Sequence, residues 1–243
     1  MTENTGGEMP FLAHLEELRW RLIKAIAAVV AGAIPCGILW RRIFDLLMVY
    51  PLRIAEPKPK IIFTAPAEGV LLSIKIAVAG GIILGVPVIS YQIWKFVAPG
   101  LYRNEKRIVI PVVIVSSLCF FAGAAFSYIL LPYVLRFLAA YASGALEPYF
   151  RANEYIGFLL KIVLAFGLVF ELPVISFVLT KMDVITAGFL IKKFKYAFVI
   201  FFILAALITP PDVISQLFLA GPLLVLYGIS ILVAFMVQRR KRA

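Results

Sequence analysis

The stretch Ile108–Leu131, IVIPVVIVSSLCFFAGAAFSYILL, runs for 24 residues without a charge. A helix crossing about 30 Å of hydrocarbon needs about 20 such residues, so this segment is expected to span a membrane. Working outward, comparable runs occupy Leu22–Trp40, Val70–Phe96, Ile156–Leu179 and Val213–Val237. A shorter run, Tyr196–Ile208, has 13 uncharged residues, worth about 20 Å of helix. To reach across, it must recruit Lys192, Lys193 and Lys195 by snorkelling or sit where the bilayer thins. Thr209-Pro210-Pro211-Asp212 then turns tightly into the last run. The reading is an all-α polytopic membrane protein of six transmembrane helices in one domain, 1–243.

Composition agrees. The chain has 243 residues, 63% hydrophobic and 15% charged, with 20 Phe. Soluble domains are about 45–50% apolar and about 25% charged. Disorder, a disulfide scaffold and an ordinary soluble enzyme are excluded, and the six spans leave no room for a soluble domain. Cys36 and Cys119 lie in apolar runs and read as small buried hydrophobes. A single histidine, His14, leaves no HExxH, His/Cys cluster or Ser–His pair, so metal and triad chemistry lack raw material. GxxxxGK[ST] is absent, which argues against an ATPase. No cofactor is expected. The first twenty residues carry Glu3, Glu8, Glu16 and Glu17 and lack an Ala-x-Ala site, so no removable signal peptide is expected.

Orientation follows from the basic residues. One side carries Arg19, Arg21, Lys24, Lys95, Arg103, Lys106, Arg107, Lys181, Lys192, Lys193, Lys195, Arg239, Arg240, Lys241 and Arg242, fifteen in all. The other carries Arg41, Arg42, Arg53, Lys58, Lys60, Arg136 and Arg151, seven in all. Both termini are therefore expected in the cytoplasm. Lys75 and Lys161 lie inside the outer ends of the second and fourth spans and are expected to snorkel outward. The net charge of +11 is a topology signal dispersed over short loops, not a nucleic-acid surface. The two outer loops, 41–69 and 132–155, are expected to form a cap. Within the first, Ile43–Tyr50 reads as a short interfacial helix stopped by Pro51.

At the N-terminus, 10–21 reads as an amphipathic helix running into the first span. Pro10 suits its first position, Phe11, Leu12, Leu15, Leu18 and Leu22 recur at helical spacing, and His14, Glu17 and Arg21 share the polar face. Glu105, in the loop after the second span, is open to two readings. Arg103 and Lys106 could simply neutralise it, or it could join Glu17 in an acid patch on a basic face, suited to bidentate pairing with a guanidinium. Glu171 is the sharpest anomaly. An ionised acid in a helix centre costs about 2.5–3.5 kcal/mol on the insertion scale. Either it fixes packing through a hydrogen bond, or it marks a path, partner or proton site. Pro173 breaks the helix ladder beside it. Pro35, Pro87, Pro173 and Pro222 place one proline in each of four spans, favouring a curved body. Gly81 and Gly85 form a small-xxx-small face that permits close helix approach. Ser215, Gln216 and Asp212 put polarity at the end of the last span, with ordinary capping as the plainer reading.

Several motifs now stand in order: HLEELR (14–19), PVISYQIWKFVAPGLY (87–102), EKR (105–107), FGLVFELP (166–173) and LITPPDVISQ (207–216). Together they resemble the TatC family, the large integral component of the twin-arginine (Sec-independent) protein translocase, over essentially the whole chain. The resemblance implies a concave, glove-like six-helix body with both termini cytoplasmic, in a bacterial or archaeal cytoplasmic membrane. It implies a receptor for twin-arginine signal peptides of folded proteins, working with TatA- and TatB-type single-span partners on the proton-motive force. Self-association is left open, and no enzyme activity is implied. On the matching positions, Glu17 and Glu105 would bind the signal peptide, supported by Arg19, Phe96 and Arg103. Glu171 would serve partner contact on the concave face, and Pro51, Asp212 and Gln216 fall on further motif positions. The residues alone leave a small transporter using Glu171 as a rival, but no inverted repeat is evident. An intramembrane hydrolase lacks a nucleophile–base pair.

Overall fold

The computed structural model describes residues 11–54, 60–97, 109–140, 149–209 and 213–242. In chain order these form α1 (Phe11–Ile38), α2 (Trp40–Ile54), β1 (Lys60–Ile62), α3 (Glu68–Val97), α4 (Val109–Ala140), β2 (Tyr149–Arg151), α5 (Ala152–Val169), α6 (Leu172–Lys181), α7 (Ala187–Ile208) and α8 (Val213–Arg242). Among the described residues five stretches are long and apolar enough to cross a membrane: His14–Ile38, Glu68–Val97, Val109–Phe137, Ala152–Lys181 and Val213–Arg240. The expected sixth, α7, is a 22-residue helix that starts at Ala187, well before Tyr196. Lys192, Lys193 and Lys195 sit in its first half and keep it below that standard. The amphipathic N-terminal segment runs into α1 without a break, as its spacing predicts; Pro10 lies outside the described residues.

The helices pack in a chain of neighbours: α1 on α3, α3 on α4 and α5, α4 on α5, and α8 against both α6 and α7. Leu72, Ile76, Leu131, Leu135, Ile156, Leu159, Phe166 and Leu219 are nearly solvent-inaccessible at the centre. The outer faces are also apolar, for example Leu22, Ile26, Val30, Ile34 and Ile38 along α1. That is what a lipid-facing helix requires and what a soluble one avoids.

Glycines set the α1–α3 distance. A Cβ on Gly81 would lie 2.4 Å from the Val29 carbonyl oxygen, and one on Gly80 would lie 2.5 Å from Cys36 Sγ. From the other side, a Cβ on Gly32 would lie 3.0 Å from the Gly81 carbonyl oxygen. The small-residue face read in the second span is thus used, with backbone packed on backbone. Cys36 is buried beneath it and Cys119 is half-buried; both are free thiols.

Two sequence expectations need correction. Pro51 does not stop α2, which continues to Ile54. Proline has no N–H to offer the carbonyl four residues back, here Leu47; Tyr155 Oη donates to that carbonyl instead, at 3.2 Å. Tyr128 Oη donates to the adjacent Leu46 carbonyl at 2.6 Å. Two tyrosines from α4 and α5 thereby anchor α2, while Ile43, Phe44, Leu47 and Met48 pack its apolar stripe on the core. Second, the third span does not end at Leu131: α4 runs through Pro132 to Ala140. The loops outside the helices also hold a two-stranded parallel pair, with Lys60, Ile61 and Ile62 opposite Tyr149, Phe150 and Arg151.

Glu68 fastens that pair to the bundle. Its buried carboxylate accepts from Thr64 N (2.7 Å), Thr64 Oγ1 (3.2 Å), Ala65 N (3.3 Å) and Asn153 N (2.8 Å). An anion in the first turn of α3 is also favoured by the helix dipole. Arg151 Nε adds a bond to Thr64 Oγ1 at 3.0 Å.

Two variants check these contacts through thermal unfolding in detergent. Gly81→Leu should force α1 from α3 and destabilise by about 2 kcal/mol or more, as overpacking does. Tyr155→Phe should cost about 1 kcal/mol by leaving a half-buried carbonyl unpaired. The loss should be smaller in a Pro51→Ala background, where residue 51 regains its N–H.

Candidate functional site

The close α1–α3 packing runs antiparallel, so it brings the start of α1 beside the end of α3. There His14 stacks on Phe96 with ring centroids 4.3 Å apart and planes 17° apart. One turn along α1, Glu17 is held by Arg21: Nε donates to Glu17 Oε1 at 3.0 Å, and a second guanidinium nitrogen contacts the same oxygen. The other oxygen, Oε2, is buried and has no hydrogen-bond partner among the described residues. A half-buried carboxylate with one oxygen satisfied and one not is a place for a further cationic donor. Arg19 and Glu16 are exposed on flanking faces of α1. His14 belongs to this cluster as the platform for Phe96; the sequence put it on the polar face, but only the α3 register shows the stack. Arg103 and Glu105 lie outside the described residues.

A second polar group sits within the membrane span. α5 ends at Val169 and α6 begins at Leu172, with Phe170 and Glu171 forming the break. Pro173 causes it, being unable to donate to the Val169 carbonyl. Phe170 N still bonds Phe166 O (2.9 Å), and Glu171 N moves to Leu168 O (3.1 Å). The sequence-level reading of a disrupted ladder at this point is what the backbone shows. Glu171 Oε2 accepts from Ser116 Oγ at 2.6 Å. Ser116 Oγ also lies 3.3 Å from Trp94 Nε1 and 3.3 Å from Ser90 Oγ. A hydroxyl has one proton and two lone pairs; giving the proton to the carboxylate leaves Ser116 to accept from Trp94 and Ser90. The chain of groups edges a cavity of about 400 Å³ between α3, α4 and the α5–α6 break. Its other walls are apolar, among them Val86, Ile89 and Leu168. Ser90, Trp94 and Ser116 had no assigned role in the sequence, because residues 90, 94 and 116 share a locality only after α3 and α4 pack.

The remaining motif residues are separate from both groups. Pro51 is buried in α2 at the far end of the bundle. Gln216 Nε2 donates to Phe202 O at 2.8 Å, bracing the α7–α8 pair. Tyr227 Oη to Leu190 O (2.9 Å) and Ala187 N to Gln238 Oε1 (3.3 Å) brace it at two further levels. Asp212 lies outside the described residues. Among the described residues no three of His, Cys, Asp and Glu come together as a metal-binding group.

These features were compared with known proteins. The sequence profile described as Sec-independent protein translocase protein (TatC) matches residues 13–222. The TatC of Helicobacter pylori (strain J99) is 41% identical over 226 residues, covering 93% of this chain and 88% of that protein. The TatC of Aquifex aeolicus (strain VF5) is 41% identical over 237 residues, covering 96% and 98%. A crystal structure described as the twin arginine translocase receptor TatC superposes with a TM-score of 0.84 at 41% identity, covering 93% of this chain and 99% of that one. The likeness is to proteins named as a translocase receptor and as Sec-independent protein translocase proteins, none of them named as an enzyme. By profile, sequence and fold alike, the chain belongs to the TatC family of Sec-independent protein translocase proteins.

Proposed function

We propose that the surface formed by the start of α1 and the end of α3 receives the paired arginines of a twin-arginine signal peptide. The observation that carries this reading is the buried, unpartnered Oε2 of Glu17 beside the His14–Phe96 stack. An arginine guanidinium offers the planar, charged donors that such an oxygen lacks, and an aromatic face suits its flat cation. Glu105 supplies the second carboxylate, with Arg19 and Arg103 repelling cations that cannot pair with both acids. Signal-peptide binding fits the family likeness, since the superposed structure is described as a twin arginine translocase receptor.

The apolar part of the peptide then follows the end of α3 toward the cavity edged by Glu171, where TatA- and TatB-type single-span partners would meet the same polar group. In this reading α7 completes a sixth crossing, its lysines at the membrane surface and α8 bracing its short apolar half. The fifteen-to-seven basic asymmetry then sets both termini in the cytoplasm, and the prolines curve one transmembrane domain, 1–243, into a glove-like body in a bacterial or archaeal cytoplasmic membrane. Nothing is cleaved or formed in the chain; transport draws on the proton-motive force. Asp212 and Gln216 belong to the α7–α8 turn on this view, and Gln216 acts by holding that pair together.

Photocrosslinking of the membrane-embedded protein to a twin-arginine peptide tests the site. Glu17→Gln and Glu105→Gln should each weaken capture about tenfold or more, the scale of one charged hydrogen bond. Full capture by both variants would sink the assignment. For the inner group, Ser116→Ala and Glu171→Ala should each lower the thermal midpoint. The double variant should lose little more than the worse single, because the two side chains share one bond. Transport retained by Glu171→Ala would reduce that carboxylate to a packing role.

A further inference from the structure

Lys75 and Lys161 stand apart from every group above. α3 and α5 start level with each other, since Glu68 at the head of α3 bonds Asn153 at the head of α5. Lys75 is seven residues into α3 and Lys161 nine into α5, about 10 and 14 Å along their helices. Lys75 turns back: Nζ donates to Asn153 Oδ1 at 2.6 Å and approaches Asn153 O at 3.5 Å. Gly157 gives it room, as a Cβ there would lie 3.5 Å from that Nζ. Lys161 is one turn deeper on the same face of α5, at i+4 from Gly157.

Both lysines line one groove of about 370 Å³ on the outside of the bundle, whose other walls include Ile74, Val78, Gly157 and Leu164. The carboxylates of the neighbouring elements are taken. Glu68 accepts from Thr64, Ala65 and Asn153, and Glu154 pairs with Arg151 at 2.8 Å. No acid lines the groove. Two exposed cations therefore line one groove with no ion-pair partner among the described residues, an arrangement that attracts an anion.

We propose that this groove binds an anionic phospholipid, the phosphate between Lys75 and Lys161 and an acyl chain along Val78 and Leu164. The groove runs from the two lysines inward along apolar walls, with Ile82 and Leu164 deeper than either cation, an order that matches a headgroup followed by an acyl chain. It opens among exposed apolar residues such as Leu71 and Ile74, where lipid is the solvent, so a soluble anion has no route to it. This inference is independent of the signal-peptide reading, since it uses none of the same residues.

Native mass spectrometry of the full chain in detergent, titrated with phosphatidylglycerol or phosphatidylcholine, tests it. The wild type should retain one phosphatidylglycerol in preference to phosphatidylcholine. Lys161→Gln should lower that retention about fivefold, the scale of one lysine at an anionic headgroup. Lys161→Arg should keep it, which separates loss of charge from loss of fold. Equal retention of the two lipids by the wild type would overturn the proposal, as would undiminished preference in Lys161→Gln or loss of preference in Lys161→Arg. So would selective capture of a single-span peptide with a mid-span glutamate in place of the lipid, which would assign the groove to a partner helix.

Discussion

A carbonyl released by a proline in a packed helix needs another partner, and this fold is organised around that constraint. Among the described residues seven prolines lie in or at the start of helices: Pro35, Pro51, Pro87, Pro111, Pro132, Pro173 and Pro222. At two of them the structure shows how the strain is absorbed. Beside Pro51, Tyr155 reaches across from α5 to take up Leu47 O, so the defect becomes a tie between two elements. At Pro173 the helix parts, and Glu171 enters the bundle at that break. One defect is sealed by a neighbour's hydroxyl; the other exposes a polar group that needs Ser116 to complete it.

The candidate receptor surface depends on a different contact, far from it along the helices. His14, one turn before Glu17, reaches Phe96 because α1 and α3 run together closely, and they do so because Gly32, Gly80 and Gly81 carry no Cβ to hold them apart. Packing in the middle of the membrane thus sets side-chain geometry at its surface. A larger residue at Gly81 would displace the stack by tilting α1, without touching any residue that meets the ligand.

Much of this was legible in the sequence. The uncharged runs mark the spans, and the glycine pair predicts the close crossing. Pro173 beside Glu171 predicts the broken helix. What periodicity could not supply was any pairing between distant segments. Ser90, Trp94 and Ser116 look like ordinary small or aromatic residues in apolar runs. Glu68 looks like a loop acid until Asn153 is brought to it. Pro51 misled because proline is a stop signal when water is the alternative partner, and here a tyrosine supplies the bond. The tyrosine is more than a hundred residues away, beyond the reach of a local rule. α7 is the converse case: its lysines dilute a local signal, and bonds from Gln216, Tyr227 and Gln238 on α8 hold it in place.

The state of each carboxylate separates frame from function better than burial does. Glu68 is the most buried of the three that matter, yet both its oxygens are used, and nothing is left to offer a ligand. Glu17 is less buried but keeps one enclosed oxygen without a partner. Glu171 lies between: one oxygen takes a short bond from Ser116, and the residue edges an apolar cavity. A fully satisfied carboxylate lowers the energy of the folded chain alone. A partly satisfied one leaves the folded chain short of a bond that a cation or a polar partner can complete, so binding there recovers energy that folding did not. That difference ranks Glu17 first as a ligand site and Glu171 second, and it places Glu68 with the scaffold.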